Sequence, residues 1–320
     1  MTTLASAQVT FLGIFAADLA FRAPRLPHIG ETLLGSDFAM GAGGKGSNQA
    51  IACARSGTQV SLLTRIGRDV FGDMAMTAWR QADIDTAGVE FCDQSTGAAF
   101  IFVDQANGQN AIIVEPGAAR GIDKAFVDRM ARLIAESRVF ATQLELPVAA
   151  AMRGLQIARS AGATTVFNPA PAPAPATAAV LPDAIWGLCD VVVPNEVEAS
   201  MLTGIDVDGP EGAALAADVL IARGAGNVIV TLGSQGALLR TPRSQLHIQP
   251  FNAGVLCDTT GAGDAFIGGL CTAISEGRPL AEAVRFASAV AGLSVTRPGT
   301  ATSMPTRAEI DRLLGATDRH

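Results

Sequence analysis

The sequence predicts an α/β protein in which helices cover both faces of a mostly parallel sheet. Short apolar or β-branched segments alternate with alanine-rich segments of helical length along most of the 320 residues. Alternation of this kind is typical of parallel sheets, whose strands are joined by helices. The chain is 49 % hydrophobic and 17 % charged, which provides for one large core. We therefore expect a single domain over residues 1–320.

Six buried strands are predicted, in chain order, at 9–15, 60–66, 138–144, 164–170, 190–196 and 227–233. Nine helices are predicted at about 46–56, 71–82, 123–136, 148–161, 196–202, 211–223, 264–276, 280–295 and 306–314. Ligands of parallel sheets bind at the carboxyl ends of the strands. We therefore expect a functional site at the carboxyl ends of these strands.

Two regions, at about 16–40 and 96–115, break the alternation of strands and helices. The segments "GAAFIFVD" and "NAIIVE" flank "QANGQ", which indicates a β-hairpin. We interpret the two regions together as a small β-sheet that lies beside the main domain and acts as a lid. The proline-rich run at 168–179 is interpreted as a surface loop.

Composition and charge restrict the partners. The net charge is -7, and no run of Lys or Arg is long enough to neutralise a phosphate backbone, which argues against nucleic acid and anionic membranes. The five cysteines are scattered without a C-x-x-C pair, as expected for reduced thiols. No segment reaches the roughly 18 uninterrupted apolar residues of a membrane span. We expect a soluble, cytoplasmic protein that binds a small molecule.

The first glycine-rich stretch, "MGAGGKGSNQA" at 40–50, fits neither of two nucleotide-binding motifs. It contains G-x-G-x-x-G, but the preceding "GETLLGSDFAM" is not the continuous apolar strand that a dinucleotide site requires. A P-loop requires Ser or Thr directly after the lysine, and here Gly46 follows Lys45. Two interpretations remain open. The stretch is a structural turn, or its backbone approaches a ligand while Lys45 and Asn48 donate to hydroxyl groups.

The second glycine-rich stretch, "DTTGAGDAF" at 258–266, is predicted to begin a helix. The amides of Ala262, Gly263 and Asp264 would lie at the helix N-terminus, where unpaired N–H groups and the helix dipole favour an anion. The role of Asp264 has two interpretations. Its carboxylate caps one of these amides, or it is a functional group beside a bound phosphate.

Together, the two stretches resemble the signature motifs of the PfkB carbohydrate-kinase family, and most closely those of its ribokinase group. The resemblance covers about residues 8–315 and includes, in the family's order, "GRDVFG", "STG", "QLE", "NPAPA", "PNEVEA", "TLGSQG" and "SVTRPG". It implies the ribokinase-like fold, a three-layer α/β/α arrangement with a mostly parallel central sheet and a small β-sheet lid. It also implies ATP-dependent phosphorylation of a sugar hydroxymethyl group, with D-ribose giving D-ribose 5-phosphate.

The resemblance further implies which residues carry phosphoryl transfer. Asp264 would be the general base, and the backbone amides of Gly261, Ala262 and Gly263 would form an anion hole for the transferred group. The residues implied to bind the sugar are Asp18, Gly44, Lys45, Gly46, Ser47, Asn48, Glu145 and Asp264. Without the resemblance, Asp18 could equally be a turn residue and Glu145 a solvated strand end.

ATP and Mg²⁺ are the implied cofactors. The residues implied to contact ATP are Asn195, Thr231, Gly233, Ser234, Gly236, Gly263 and Ser288. Asn195 and Glu198 match the family's magnesium segment. From the residues alone, "VIVTLGSQGALL" is a hairpin and "PNEVEA" is a helix start with Asn195 as its cap.

A potassium ion and a homodimer are also implied. The residues that match the potassium segment are Asp258, Thr260, Ser294, Arg297, Gly299 and Ser303, several of them through backbone carbonyls. A monovalent cation there would help to fix the amides of the anion hole. The alternative is a capped loop without an ion. Members of the family commonly pair their lids, so a homodimer through the lid sheet is expected.

The substrate and the activity each have an alternative. Ala16 lies two residues before Asp18, where ribokinases usually have Asn, so a contact to a sugar hydroxyl is lost. Another small sugar, or a nucleoside on the same fold, is therefore the alternative substrate. A sugar-sensing relative without catalysis is the alternative outside enzymes, and the intact Asp264 with its flanking glycines argues against it.

Overall fold

The computed structural model describes residues 9–173 and 181–317. The strands within them are β1 (Val9–Leu12), β2 (Ala16–Ala23), β3 (Asp37–Gly43), β4 (Val60–Gly67), β5 (Val89–Cys92), β6 (Thr96–Asp104), β7 (Asn110–Gly117), β8 (Val139–Thr142), β9 (Thr164–Phe167), β10 (Val191–Val192), β11 (Asn227–Thr231), β12 (Ala237–Arg240) and β13 (Gln245–Ile248). The helices are α1 (Lys45–Arg55), α2 (Val70–Gln81), α3 (Lys124–Arg129), α4 (Ala131–Ala135), α5 (Val148–Ser160), α6 (Glu196–Thr203), α7 (Pro210–Ala222), α8 (Ala262–Ser275), α9 (Leu280–Ser294) and α10 (Arg307–Thr317).

The main sheet has nine strands in the order β13-β12-β11-β10-β9-β8-β1-β4-β5. The strands from β11 to β5 are parallel, and β12 and β13 complete the sheet in antiparallel pairs. One hydrophobic cluster fills the side of the sheet that α1, α2, α8, α9 and α10 cover, and a second fills the side of α3 to α7. The predicted three-layer α/β/α fold is therefore confirmed.

All six predicted strands and nine predicted helices occur at their positions, with ends that differ by a few residues. The segment expected as one helix at 123–136 forms two short helices, α3 and α4, which meet at Met130. Strands β5 and β13 were not predicted, because each has only four residues at an edge of the sheet, most of them partly exposed, and neither shows a long apolar run. Part of the proline-rich run at 168–179 lies outside the described residues.

The accessory sheet consists of β2, β3, β6 and β7, in the order β3-β2-β6-β7. It contains both predicted lid regions, and β6 and β7 form the predicted antiparallel hairpin. Strand β2 follows three residues after β1, so the accessory sheet is attached directly to the carboxyl end of a central strand. Its exposed side chains include Phe21, Phe38 and Phe100, with the ring of Phe21 4.8 and 5.8 Å from the other two.

Helices α1 and α8, which begin at the two glycine-rich stretches, pack against each other. The contact is close, because a Cβ at Gly268 would lie 2.5 Å from the Ala52 Cβ and 2.7 Å from the Cys53 nitrogen. The two stretches, more than 200 residues apart in sequence, therefore lie side by side. No helix in the described ranges 9–173 and 181–317 is long and apolar enough to cross a bilayer.

Candidate active site

A cavity of about 180 Å³ lies at the carboxyl ends of the parallel strands, as the sequence predicts. Side chains that follow β9, β10 and β11 line one side of the cavity, and the N-terminus of α8 closes another. Its polar lining includes Lys45, Asn168, Asn195, Glu198, Thr231 and Asp264. Residues from both glycine-rich stretches therefore reach the same cavity.

Asp264 is the third residue of α8 and is 7 % exposed. Its Oδ2 accepts a hydrogen bond from Asn48 Nδ2 (3.1 Å), and its Oδ1 accepts one from Gln49 Nε2 (3.0 Å). The helix cap is Gly261, with φ 78° and without a side-chain bond to the helix. The interpretation of Asp264 as a simple helix cap is therefore wrong, since its carboxylate binds side chains of α1 and faces the cavity.

The first amides of α8 are available to an anion. The Ala262 N–H donates to the Thr259 carbonyl (3.2 Å), whereas those of Gly263 and Asp264 have no acceptor within residues 9–173 and 181–317. A Cβ at Gly263 would meet no atom within 4 Å, so this residue borders open space. Free N–H groups at the positive end of a helix dipole form an anion-binding site.

Three charged residues, Asp18, Lys45 and Glu145, lie on the accessory-sheet side of the site, and of these only Lys45 lines the cavity. Asp18 belongs to β2, and Gly43 packs against its carboxylate so closely that a Cβ there would lie 2.3 Å from an oxygen. Glu145 Oε2 accepts the Lys45 backbone N–H (2.7 Å). Burial and then the negative charge of Asp264 raise the pKa of Asp18 to about 6. Burial also raises the pKa of Glu145 to about 7, although the Lys45 charge opposes this.

The Lys45 ammonium is the positive group among these carboxylates. Burial by itself lowers the pKa of Lys45, but the charges of Asp264, Glu145 and Glu198 outweigh burial, so the net shift is upward. Lys45 therefore stays protonated at neutral pH, and it can donate to oxygen atoms of a ligand.

The glycines of the first stretch allow the backbone of α1 to approach β1. Gly44 has φ 85°, and a Cβ at Gly46 would lie 2.6 Å from the Gly13 Cα. Ser47 lies in the core and not on the cavity, because it is fully buried and its Oγ accepts a hydrogen bond from Trp79 Nε1 (2.8 Å). A direct contact between its side chain and a sugar is therefore not supported, in contrast to Asn48, which contacts Asp264.

Asn195 and Glu198 form the predicted cap at the start of α6. The Asn195 side chain accepts the Glu198 N–H (2.8 Å), and the Glu198 carboxylate accepts the Asn195 N–H (3.0 Å). Burial raises the pKa of Glu198, although the Asn195 N–H and the Lys45 charge oppose this. Asn195 and Glu198 also line the cavity, next to Thr231.

The other residues expected to contact ATP lie apart from this cavity. Gly233, Ser234 and Gly236 form the turn between β11 and β12, which is the predicted strand, tight turn and strand. Ser288 lies in α9 and is 7 % exposed, and its Oγ has no hydrogen-bond partner among the described residues. The structure thus gathers Asn195, Thr231 and Gly263 at the cavity and leaves these four outside its lining.

The segment expected to bind potassium lies behind the N-terminus of α8. Asp258 accepts the N–H groups of Thr260 (2.9 Å) and Gly299 (3.0 Å), and although burial raises its pKa, these bonds lower it overall. The hydroxyls of Ser294 and Ser303 each donate to a nearby carbonyl (2.8 Å). The Arg297 guanidinium pairs with Glu309 (2.5 Å), so only its backbone is available to a cation.

Three amide side chains of the site were not predicted, namely Gln49, Gln143 and Asn168. Gln49 Nε2 donates to Asp264 and to Asn168 Oδ1 (3.2 Å), and Gln49 Oε1 accepts from Gln143 Nε2 (2.6 Å). Their positions in the sequence carry a signal. Gln143 and Asn168 directly follow β8 and β9, where ligands of parallel sheets bind, and Gln49 directly follows Asn48.

This fold and site define a class of phosphotransferase, and comparisons with known proteins agree with that class. The sequence profile of the pfkB family carbohydrate kinases matches residues 6–307, so the chain belongs to this family. It is 37 % identical over 302 residues to the ribokinase of Haemophilus influenzae, covering 94 % of this chain and 96 % of the relative. It is 33 % identical over 311 residues to the deoxyribokinase of Salmonella typhi, covering 97 % and 99 %.

Solved structures give the same result. The ribokinase of Arabidopsis thaliana, described in complex with ribose and ATP, has a TM-score of 0.89 and 28 % identity, with 97 % of this chain and 99 % of that chain covered. The ribokinase of Thermotoga maritima has a TM-score of 0.86 and 31 % identity, with 97 % and 99 % covered. The chain is therefore an ATP-dependent carbohydrate kinase of the ribokinase fold.

Proposed function

We propose that this kinase transfers the γ-phosphoryl group of ATP to the hydroxymethyl group of D-ribose and releases D-ribose 5-phosphate and ADP. The observation that carries the proposal is the position of the Asp264 carboxylate directly beside the free amides of Gly263 and Asp264. A base and an anion site next to each other are what transfer to an alcohol requires. Ribokinases that align over nearly the whole chain support ribose as the substrate.

In this reaction Asp264 accepts the proton of the sugar hydroxyl while the hydroxyl oxygen forms a bond to the γ-phosphorus. The bond from the γ-phosphorus to the bridging oxygen of ADP breaks. The amides at the start of α8 stabilise the negative charge on the transferred group. Asp18, Lys45, Asn48 and Glu145 hold the sugar hydroxyls, and the accessory sheet covers the sugar and excludes water that would otherwise accept the phosphoryl group.

Mg²⁺ fits the charges of the cavity. The Glu198 and Asp264 carboxylates line it together with the Lys45 ammonium, so the charge of a triphosphate alone would not be balanced. No group of three or more His, Cys, Asp and Glu side chains within the described residues is arranged to hold a metal. Mg²⁺ with this nucleotide would be held mainly by phosphate and water oxygens, as is usual, with Glu198 and Asn195 close by. When bound, the ion neutralises phosphate charge.

A coupled assay of ADP release tests the substrate. Ribose, 2-deoxyribose, fructose, tagatose and a set of nucleosides are supplied separately with MgATP, and a sample without sugar gives the background hydrolysis. We expect ribose to give the highest kcat/KM. A clear preference for a nucleoside would contradict the proposal and would indicate a nucleoside kinase on the same fold.

2-Deoxyribose is a second candidate, and Ala16 favours it. Ala16 is 3 % exposed and lies between Gly43 and Gly97 in the accessory sheet. Because its side chain is a methyl group, it offers no hydrogen bond to a sugar hydroxyl. A site with one hydroxyl contact fewer discriminates less against a sugar that lacks a hydroxyl. We expect kcat/KM for 2-deoxyribose to come within about tenfold of that for ribose, and Ala16→Asn should increase the preference for ribose.

We also propose a potassium ion beside Asp258 and a dimer through the accessory sheet. The backbone of the segment from Ser294 to Ser303 and the Asp258 carboxylate offer oxygen ligands behind the anion site. Activity in potassium, sodium and tetramethylammonium buffers tests the ion, and equal rates in all three would contradict it.

Sedimentation of wild type and Phe38→Glu tests the dimer, since Phe38 is 52 % exposed on the accessory sheet. A cytoplasmic location remains a prediction from the sequence.

A further inference from the structure

We propose that Gln49 is a positioning residue for the general base, and that Gln143 and Asn168 hold Gln49 in one orientation. This inference rests on the proposed function, because it concerns the carboxylate that accepts the sugar proton. Gln49 belongs to α1, and Asp264, to which its side chain donates, belongs to α8. The two residues are 215 positions apart in sequence.

The side-chain amides form an unbroken hydrogen-bond chain next to the cavity. Gln143 Nε2 donates to Gln49 Oε1 (2.6 Å), and Gln49 Nε2 donates both to Asp264 Oδ1 (3.0 Å) and to Asn168 Oδ1 (3.2 Å). Asn168 Nδ2 donates in turn to the Val193 carbonyl (2.8 Å). Gln49 and Gln143 are fully buried, so water cannot replace either of them in this chain.

Only one orientation of the Gln49 and Gln143 amides is compatible with this hydrogen-bond chain. An ionised carboxylate can only accept hydrogen bonds, so the Gln49 atom that faces Asp264 must be nitrogen. The Gln49 oxygen then faces Gln143, which must present its own nitrogen. Gln143 Oε1 is left as a buried acceptor, against the backbone of Gly13 and without a partner among the residues that the structure describes. A buried polar atom without a partner is unfavourable, so the orientation of Gln143 toward Gln49 is maintained at a local cost.

This chain fixes the plane of the Asp264 carboxylate. Asn48 holds Oδ2 and Gln49 holds Oδ1, so rotation of the carboxyl group would break one of the two bonds. Each carboxylate oxygen keeps a second lone pair for the hydroxyl that enters from the cavity. Gln49 is fully buried, so it does not reach a bound sugar or nucleotide and acts on the rate through its bond to Asp264.

The test uses Gln49→Met, Gln143→Met and the matched control Thr142→Val. Thr142 adjoins Gln143 and is equally buried, but its hydroxyl donates to the Leu12 carbonyl (3.0 Å) and its bond does not involve Asp264. We expect Gln49→Met to lower kcat by roughly 10²-fold, with KM for sugar and ATP changed by no more than about threefold. Gln143→Met should give a smaller loss, because Gln49 still reaches Asp264 but can rotate. Thr142→Val should keep the wild-type kcat.

A Gln49→Met kcat close to that of Thr142→Val would overturn the proposal, and so would a rise in KM with kcat unchanged. If Gln49→Met does not fold, the same comparison is made between Gln143→Met and Thr142→Val. A wild type that phosphorylates no sugar would contradict the proposed function separately. In that case crystal structures decide the present inference, because an Asp264 carboxylate that keeps its orientation in Gln49→Met would overturn it and a rotated one would support it.

Discussion

The N-termini of α1 and α8 look alike in sequence and differ in what their backbone amides contact. At α1, the N–H groups of Lys45 and Ser47 donate to Glu145 and to the Ile14 carbonyl. At α8, the amides of Gly263 and Asp264 have no acceptor within the described residues. A Cβ at Gly46 would collide with Gly13, whereas one at Gly263 would enter open space.

The difference shows that glycines at a helix N-terminus have two separate uses. In α1 they let the backbone of one segment pack against the backbone of another, and the amides bind protein groups. In α8 they keep space free in front of amides that can bind an anion. A glycine-rich motif therefore indicates a phosphate site only if its amides are free, which depends on residues far away in the sequence.

The largest expected effect is the loss of turnover when the general base at the start of α8 is removed. Asp264→Asn keeps the shape of the side chain and should lower kcat by about 10²- to 10⁴-fold, because a general base contributes that much. Calorimetry should show sugar and ATP affinities close to those of the wild type. Glu211→Gln is the matched control, an acidic residue in the first turn of another helix, α7, and it should keep full activity. Comparable turnover in Asp264→Asn would remove Asp264 as the base.

A pair of alanine substitutions tests the two uses of glycine directly. Gly46→Ala should destabilise the protein by about 1–3 kcal/mol or more, because its Cβ overlaps the Gly13 backbone. Gly263→Ala should retain or raise the melting temperature, since alanine favours a helix by up to about 1 kcal/mol. It should nevertheless raise KM for ATP, because the methyl group enters the anion site. Thermal melts that rank the two variants in the opposite order would contradict the comparison.

The pH dependence of stability tests the burial of Glu145, whose carboxylate accepts the Lys45 backbone N–H. The folded pKa of Glu145, about 7, lies above its ordinary value of 4.5, so the folded protein binds the extra proton between these pH values. Stability from this group is present at pH 4.5 and is lost as the pH rises through 7. Glu145→Gln should therefore be more stable than wild type at pH 8, by roughly 1–3 kcal/mol, and similar at pH 5.

Urea titrations at several pH values measure this difference. Asp18→Asn serves as a comparison, because the pKa of Asp18 is about 6 and the stability difference should develop at a lower pH. A wild type that is more stable than Glu145→Gln at pH 8 would contradict the assignment of a buried, destabilising carboxylate.

The smallest expected effect concerns the packing of α1. Ser47→Ala removes the acceptor of the Trp79 indole N–H, which is buried, and should lower stability by about 1 kcal/mol. Denaturant unfolding measures the change. An unchanged free energy of unfolding would mean that the indole finds another acceptor and that the bond does not hold α1 in place.

The sequence predicted the layers of the fold well, because apolar periodicity and turn residues record which segments are buried. It missed the short edge strands β5 and β13, which have no long apolar run, and it joined α3 and α4 into one helix. In the site, Asp264, Lys45 and Asn48 were predicted from their motifs, and the structure places them close together. Gln49, Gln143 and Asn168 were not, because a buried amide has no distinctive local pattern and its role depends on partners that only the folded chain supplies.

The pairing of α1 with α8 has a consequence for how the enzyme forms during synthesis. Asn48 and Gln49 are made near the beginning of the chain, and Asp264 follows 216 and 215 residues later. A nascent chain that has completed β1 to β11 still lacks the base, the anion site and the neighbour that covers one face of α1. Substrate binding thus cannot assist the early steps of folding, and the face of α1 that α8 covers has no partner until α8 is made.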